Sequence, residues 1–84
     1  MKQADAIREF ANTTYIEPAR RAGLKRVTIR AGDVHSQMGL RDRMPAVAGG
    51  LGATTFATAY RLKCVDRTGP HNGADLTLTF EIQP

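Results

Sequence analysis

The sequence has no tryptophan, a single cysteine, and two histidines that are far apart. Cys64 has no second cysteine to pair with, and His35 and His71 do not have the pairwise spacing of a zinc site. We therefore expect no internal disulfide and no metal site. Because Cys64 stands within an alternating apolar pattern, we expect it to lie on a strand and to be buried as a small hydrophobic residue of the core.

Long apolar runs are also absent. No stretch approaches the roughly 18 consecutive apolar residues of a membrane-spanning helix. The first residues, MKQADAIREF, lack the apolar region of a secretory signal. With 84 residues there is room for a single domain, 1–84, with a modest core. These features predict a cytoplasmic protein without a membrane partner.

Signatures of catalysis are missing too. The eight acidic residues are scattered, and no Ser, His and Asp arrangement stands out. The segment GGLGATT, Gly49–Thr55, lacks the lysine of a P-loop and the strand-glycine-helix spacing of a dinucleotide fingerprint. We therefore expect neither enzymatic activity nor a cofactor.

Basic residues are plentiful and clustered. Twelve lysines and arginines give a net charge of +4, which favours an anionic partner. Ten of them fall in three blocks, one over residues 20–30, one at Arg41 and Arg43, and one over residues 61–67. The pair Arg20 and Arg21 fits either a solvated helix end or a phosphate contact.

Apolar spacing predicts helices in the first two thirds of the chain. Residues 2–22 repeat apolar side chains at three- and four-residue steps, with a kink or break at Pro18 and a stop at Gly23. Asp33 is a candidate N-cap for a second helix, which Gly39 ends. Residues 42–51 form a third helix with Pro45 in its first turn, which its glycines should keep short or frayed. Residues 54–60 can add one more turn anchored by Phe56 and Tyr60.

Three segments alternate with the period of a strand. Residues 24–30 place Val27 and Ile29 on one face, and residues 61–67 and 74–82 also alternate. The intervening TGPHNG, residues 68–73, is turn-forming throughout. We therefore predict a strand before the second helix and a C-terminal β-hairpin, whose last strand buries Leu76, Leu78, Phe80 and Ile82.

The order helix, strand, helix, helix, hairpin resembles the winged helix-turn-helix over nearly the whole chain. Residues 33–40 resemble the first helix and turn of the helix-turn-helix, with the turn glycine followed by an aliphatic residue. His35 departs from the family, which usually keeps alanine four residues before the turn glycine. Pro45 stands near the position where the next helix normally has its first aliphatic residue. The resemblance implies an α+β fold of three helices and a three-stranded antiparallel sheet, with the hairpin as the wing.

The same resemblance implies the DNA-contacting residues. Residues 42–51 become the recognition helix and residues 67–73 the wing, since a helix fits the major groove and arginine can bind guanine through two hydrogen bonds. The implied contacts are Ser36, Gln37, Arg41, Arg43, Arg67, His71 and Asn72. A functionless, solvated turn is the alternative for the wing tip, and a packing role is the alternative for His35. We expect Ala46, Gly49 and Gly50 to form the outward face of this helix, where their small size either allows close approach to DNA or lets the helix pack tightly on its neighbour.

Two functions are compatible with this reading. The first is a small duplex DNA-binding protein, a prokaryotic, plasmid or phage transcriptional regulator that acts as a homodimer, since one short recognition helix normally needs a second half-site. The alternative is a winged-helix module that binds another protein, as an adaptor or an inhibitor of a nucleic-acid enzyme.

Overall fold

The chain forms a small α+β domain in which helices pack against a three-stranded antiparallel sheet. The computed structural model describes residues 3–69 and 73–83. The helical segments are α1 (Gln3–Ala11), a π-helical segment (Asn12–Ile16), α2 (Glu17–Arg21), α3 (Ala31–Gln37), α4 (Met44–Gly52) and α5 (Thr54–Ala59). The strands are β1 (Arg26–Arg30), β2 (Leu62–Thr68) and β3 (Thr77–Ile82), in the sheet order β1-β3-β2.

The first three helical segments follow one another without a break, and Pro18 explains the wide turn between them. A proline inside a helix has no N–H to donate, and its ring collides with the carbonyl four residues earlier. The π-helical segment widens the helix just before this point, and the Glu17 N–H bonds the Asn12 carbonyl five residues back. The buried residues Ile7, Ala11 and Ile16 consequently follow steps of four and then five. The predicted disturbance at Pro18 is confirmed.

The short helices differ from the prediction in their starting points. Helix α5 lies where one more helical turn was expected, over residues 54–60, and adds to the three helices that the resemblance implies; Phe56 is buried in it. Helix α3 begins at Ala31, so Asp33 lies in its first turn and is not its N-cap. Helix α4 begins at Met44, two residues after the predicted start, and it is short, as predicted, with nine residues that continue through its glycines to Gly52. Gly39, with a φ of 67°, follows the end of α3 as predicted.

The sheet confirms the predicted strand pairing. β1 pairs with β3, placing Val27 opposite Phe80 and Ile29 opposite Leu78. β2 pairs with the other edge of β3, as expected for a C-terminal hairpin. The predicted inward face of the last strand is confirmed, since Leu76, Leu78 and Phe80 are buried.

Aromatic contacts join the last helix to the sheet. The rings of Phe56 and Phe80 meet edge to face with centroids 5.4 Å apart, and Phe56 meets Tyr60 at 5.5 Å. Around them lies one core of buried aliphatic residues that includes Ile7, Ile29, Val34, Val47, Leu51 and Leu78. This core holds α3, α4 and the sheet in a defined arrangement.

The prediction that Cys64 is buried is wrong. Cys64 faces Phe80 across the β2–β3 pair, but its side chain is exposed. β2 is an edge strand whose residues after Leu62 are all exposed, and its register shifts between Cys64 and Asp66. The core therefore does not extend along β2 to cover Cys64.

Candidate nucleic-acid interface

The start of α3 is fastened to the chain that leads into β3. The N–H groups of Ala31 and Gly32 donate hydrogen bonds to the carbonyls of Leu76 and Ala74, at 2.8 and 2.9 Å. Only glycine suits position 32, because a Cβ atom there would lie 2.7 Å from the Ala74 oxygen. The N-terminal amides of α3 are thus bonded to the segment that leads into β3, at the loop end of the hairpin, which fixes the hairpin relative to α3.

Arg30 reinforces this joint. Its guanidinium group donates to Asp33 at 2.9 Å and to Asp75 at 2.7 Å. These two hydrogen bonds, first the one to Asp75 and then the one to Asp33, raise the pKa of Arg30 above its ordinary value. Arg30 therefore stays charged at any physiological pH, and its charge is balanced by two carboxylates within the molecule.

Arg41 and Arg43 lie in the turn between α3 and α4, which we call the 38–43 turn. Both side chains are exposed, and neither forms an ion pair or a side-chain hydrogen bond within the described part of the chain. They flank Asp42, whose φ of 52° lies in the left-handed region. The predicted pair of free arginines is present, but it precedes α4 and does not belong to its first turn.

The exposed side of α4 carries no hydrogen-bonding side chain. Its exposed residues are Pro45, Gly49 and Gly52, and its sequence, MPAVAGGLG, is uncharged. The expectation that Gly50 faces outward is wrong, because Gly50 is buried, and Ala46 is partly buried. Gly49 does open to solvent, since nothing lies within 4 Å of a Cβ atom placed there. Groups that could bind bases or phosphates therefore lie at the ends of α4 and not along it.

The predicted contacts on α3 lie near the 38–43 turn. Ser36 and Gln37 are both exposed in the last turn of α3. The Gln37 side-chain oxygen accepts a hydrogen bond from the Tyr15 hydroxyl group at 2.8 Å. Gln37 therefore also joins the N-terminal helix to α3.

Arg67 lies at the opposite end of α4. It is exposed on β2, opposite Leu78, and its Nη1 would be 3.0 Å from a Cβ atom on Gly52, the last residue of α4. A helix of nine residues is about 13 Å long, so α4 separates Arg67 from Arg43. The other predicted wing residues, His71 and Asn72, lie outside the described residues.

Two further residues make structural contacts that sequence reasoning did not identify. Arg20 donates hydrogen bonds to the carbonyls of Gln83 at 2.6 Å and Tyr60 at 2.9 Å, so it ties α2 to the ends of β2 and β3. The Nε2 atom of His35 accepts a hydrogen bond from the backbone N–H of Arg43 at 3.3 Å. In the sequence, the only indication of this His35–Arg43 contact was the unusual histidine in what is now α3.

Several absences complete the description of this surface. No helix in residues 3–69 and 73–83 combines the length and the apolar character needed to cross a membrane. Within the same residues, no three His, Cys, Asp or Glu side chains are placed to hold a metal ion. Comparison with protein-family models, curated proteins and solved structures finds no match to this chain.

Proposed function

We propose that this chain is a duplex DNA-binding domain that uses α3, the 38–43 turn and α4 as a helix-turn-helix, and the β2–β3 hairpin as a wing. The observation that carries the proposal is the pair of exposed guanidinium groups, Arg41 and Arg43, directly before α4. Of the remaining basic side chains, Arg30 is balanced by two carboxylates and Arg20 is bonded to backbone carbonyls. The turn therefore offers cations with no internal partner among the described residues.

The arrangement of the elements supports the same proposal. β1 precedes α3 and the hairpin follows α5, and the Arg67 side chain of β2 lies close to Gly52, the last residue of α4. Arg67 then supplies positive charge at one end of α4, and Arg41 and Arg43 supply it at the other. In this proposal the phosphates of a duplex bind at both ends of α4.

The uncharged side of α4 restricts how such a domain reads sequence. Direct reading of bases needs hydrogen-bond donors and acceptors, or an apolar contact with the thymine methyl group. Since Pro45, Gly49 and Gly52 offer no hydrogen-bonding side chain, hydrogen bonding to bases falls to Arg41 and Arg43. One domain then discriminates over few base pairs, and a homodimer on two half-sites is the natural way to extend the contact.

A titration of the full chain with duplex DNA at several salt concentrations tests the proposal. Phosphate contacts release counterions, so binding should weaken steeply with salt, with a log-log slope of about −4 to −5 for four to six contacts. The double variant Arg41→Ala/Arg43→Ala should lose roughly tenfold or more in affinity. No binding by the parent at low salt would overturn the proposal.

A matched control separates a local contact from the effect of net charge. The double variant Arg21→Ala/Lys25→Ala removes the same two charges from exposed side chains that have no partner in the described part of the chain. Both residues lie outside the α3–turn–α4 unit, so the control should retain most of the affinity. Equal losses in the two double variants would show that the turn is not the contact.

A protein-protein interaction module is the second candidate, and the exposed side of α4 favours it. Small side chains at Pro45, Gly49 and Gly52 allow another protein to pack closely against the helix. In that case, Arg41 and Arg43 would contact acidic residues of the partner. Two results together would establish this second function. The folded parent would not bind DNA at low salt, and Arg41→Ala/Arg43→Ala would abolish its association with a protein.

A further inference from the structure

The backbone at both ends of the 38–43 turn is bonded to His35. At the entry, the Leu40 N–H donates to the His35 carbonyl at 3.1 Å, and Gly39 adopts a φ of 67°. This is the ordinary way in which a glycine ends a helix. At the exit, the Arg43 N–H donates to the His35 Nε2 atom at 3.3 Å. The first bond uses the backbone and would survive a substitution, whereas the second depends on the imidazole ring.

The second bond bears on the geometry of the two free arginines. Asp42 lies between them with a φ of 52°, in the left-handed region that, apart from glycine, asparagine and aspartate adopt most readily. The dihedral angles of Asp42 set the direction in which the chain leaves Arg41 and enters Arg43. Anchoring the Arg43 N–H therefore restrains the backbone from which the Arg41 and Arg43 side chains extend.

We propose that His35 is a positioning residue that holds Arg41 and Arg43 in their binding arrangement through its Nε2 bond to the Arg43 N–H. The role in binding rests on the DNA-binding function proposed above. Because Nε2 accepts this bond, the neutral imidazole must carry its proton on Nδ1. The winged helix family usually has alanine at this position. Here His35 stabilises the 38–43 turn, which ends where α4 begins at Met44.

The tautomer of His35 in the unmodified protein provides the first test. Two-dimensional ¹H–¹⁵N spectra of the imidazole at mildly alkaline pH distinguish a protonated Nδ1 from a protonated Nε2. Protonation of His35 on Nδ1 is the expected result. Protonation on Nε2 would overturn the proposal, because that nitrogen could then not accept the Arg43 bond.

Amide exchange in two variants provides the second test. His35→Leu removes the acceptor and keeps an apolar side chain of moderate size, whereas His35→Gln places an amide oxygen near the position of Nε2. Exchange of the Arg43 amide should accelerate by about fivefold in His35→Leu, the change expected for the loss of one hydrogen bond, and return towards the parent in His35→Gln. The Ile82 amide, which bonds the Lys25 carbonyl at 2.8 Å in the sheet, serves as the reference. Equal acceleration at both amides would mean that His35 only stabilises the fold.

DNA affinity in a double-mutant cycle provides the third test. If His35 acts by placing Arg43, His35→Leu should weaken DNA binding about threefold or more in the parent and much less in an Arg43→Ala background. The same loss in both backgrounds would overturn the positioning role. Failure of the parent to bind DNA would overturn the proposed function instead. The tautomer and the amide exchange would then still decide whether His35 holds the turn.

Should His35→Leu fail to fold, His35→Asn replaces it in both experiments. Its shorter side chain keeps a polar group near the position of Nδ1 but does not reach the Arg43 N–H. It should therefore behave as His35→Leu does, and a variant that matches the parent in Arg43 exchange and in DNA affinity would overturn the proposal.

Discussion

The guanidinium group of Arg67 lies over Gly52, the last residue of α4, so that a Cβ atom on residue 52 would come within 3.0 Å of its Nη1 atom. This contact joins the hairpin to the end of α4. The neighbour that a larger residue would meet is the tip of a flexible side chain and not backbone. The contact therefore predicts a site where a small substitution moves Arg67 without disturbing the fold.

Gly52→Ala tests this relationship. Alanine is favoured over glycine within helices by up to about 1 kcal/mol, which offsets the small displacement of Arg67. We expect the free energy of unfolding in urea to stay within about 0.5 kcal/mol of the parent, while the NMR signals of the Arg67 guanidinium group shift. A loss of more than about 1 kcal/mol would show that Arg67 is held rigidly over the helix end.

Two other glycines should respond to alanine with opposite signs. Gly49 lies on the exposed side of α4 with open space where a Cβ atom would lie, so Gly49→Ala should raise the free energy of unfolding by about 0.5–1 kcal/mol. At Gly32 the new Cβ atom would meet the Ala74 oxygen at 2.7 Å, so Gly32→Ala should cost about 1–3 kcal/mol. Urea unfolding of both variants measures the difference. Equal effects would mean that α3 is not fastened to residue 74.

Features that depend on local periodicity could be predicted from the sequence. The last strand alternates apolar and polar residues, so its buried face and its pairing in a hairpin follow from its period of two. The disturbance of the helix before Pro18 and the helix end at Gly39 follow from the stereochemistry of those residues. A short stretch between two helical patterns places Arg41 before the third helix, whereas Arg43 was expected inside that helix and lies just before it.

Features that depend on contacts between distant segments could not be predicted from the sequence. The burial of Cys64 was predicted from alternation, but alternation does not reveal how far the core extends along an edge strand. The sequence pattern predicts Asp33 as an N-cap, but its carboxylate accepts a hydrogen bond from Arg30. The same Arg30 guanidinium group also donates to Asp75, which lies 45 residues later in the chain. Gly50 was predicted to face outward. The residues of α4 are small or apolar on every side of the helix, so their periodicity does not indicate which face is buried.

Phe80→Ala tests the core. Phe80 is fully buried on β3 and meets Phe56 edge to face at 5.4 Å, so its loss removes a large side chain and leaves a cavity between α5 and the sheet. We expect the free energy of unfolding to fall by about 3–5 kcal/mol, which is enough to unfold many domains of this size. Thermal melting followed by circular dichroism measures it, with Thr79→Ala on the opposite face of β3 as the control. A Phe80→Ala variant that melts like the parent would contradict the packing of the sheet.

The two ends of α4 should contribute differently to DNA binding, and this separates base reading from phosphate contact. The measurement compares a preferred duplex, selected from a random pool, with unselected duplex DNA. Arg43→Ala should cost about 1–3 kcal/mol on the preferred duplex and much less on random DNA, because hydrogen bonds to bases carry the discrimination. Arg67→Ala should weaken binding to both to a similar extent, because a backbone contact does not depend on sequence.

Arg21→Ala serves as the matched single-charge control and should change neither affinity substantially. All three arginines are exposed, so each variant should melt close to the parent. If Arg43→Ala instead leaves DNA binding intact and abolishes association with a protein, the 38–43 turn is a protein-binding surface. The uncharged side of α4 would then be the face that packs against that partner, because Pro45, Gly49 and Gly52 permit close contact without requiring hydrogen bonds.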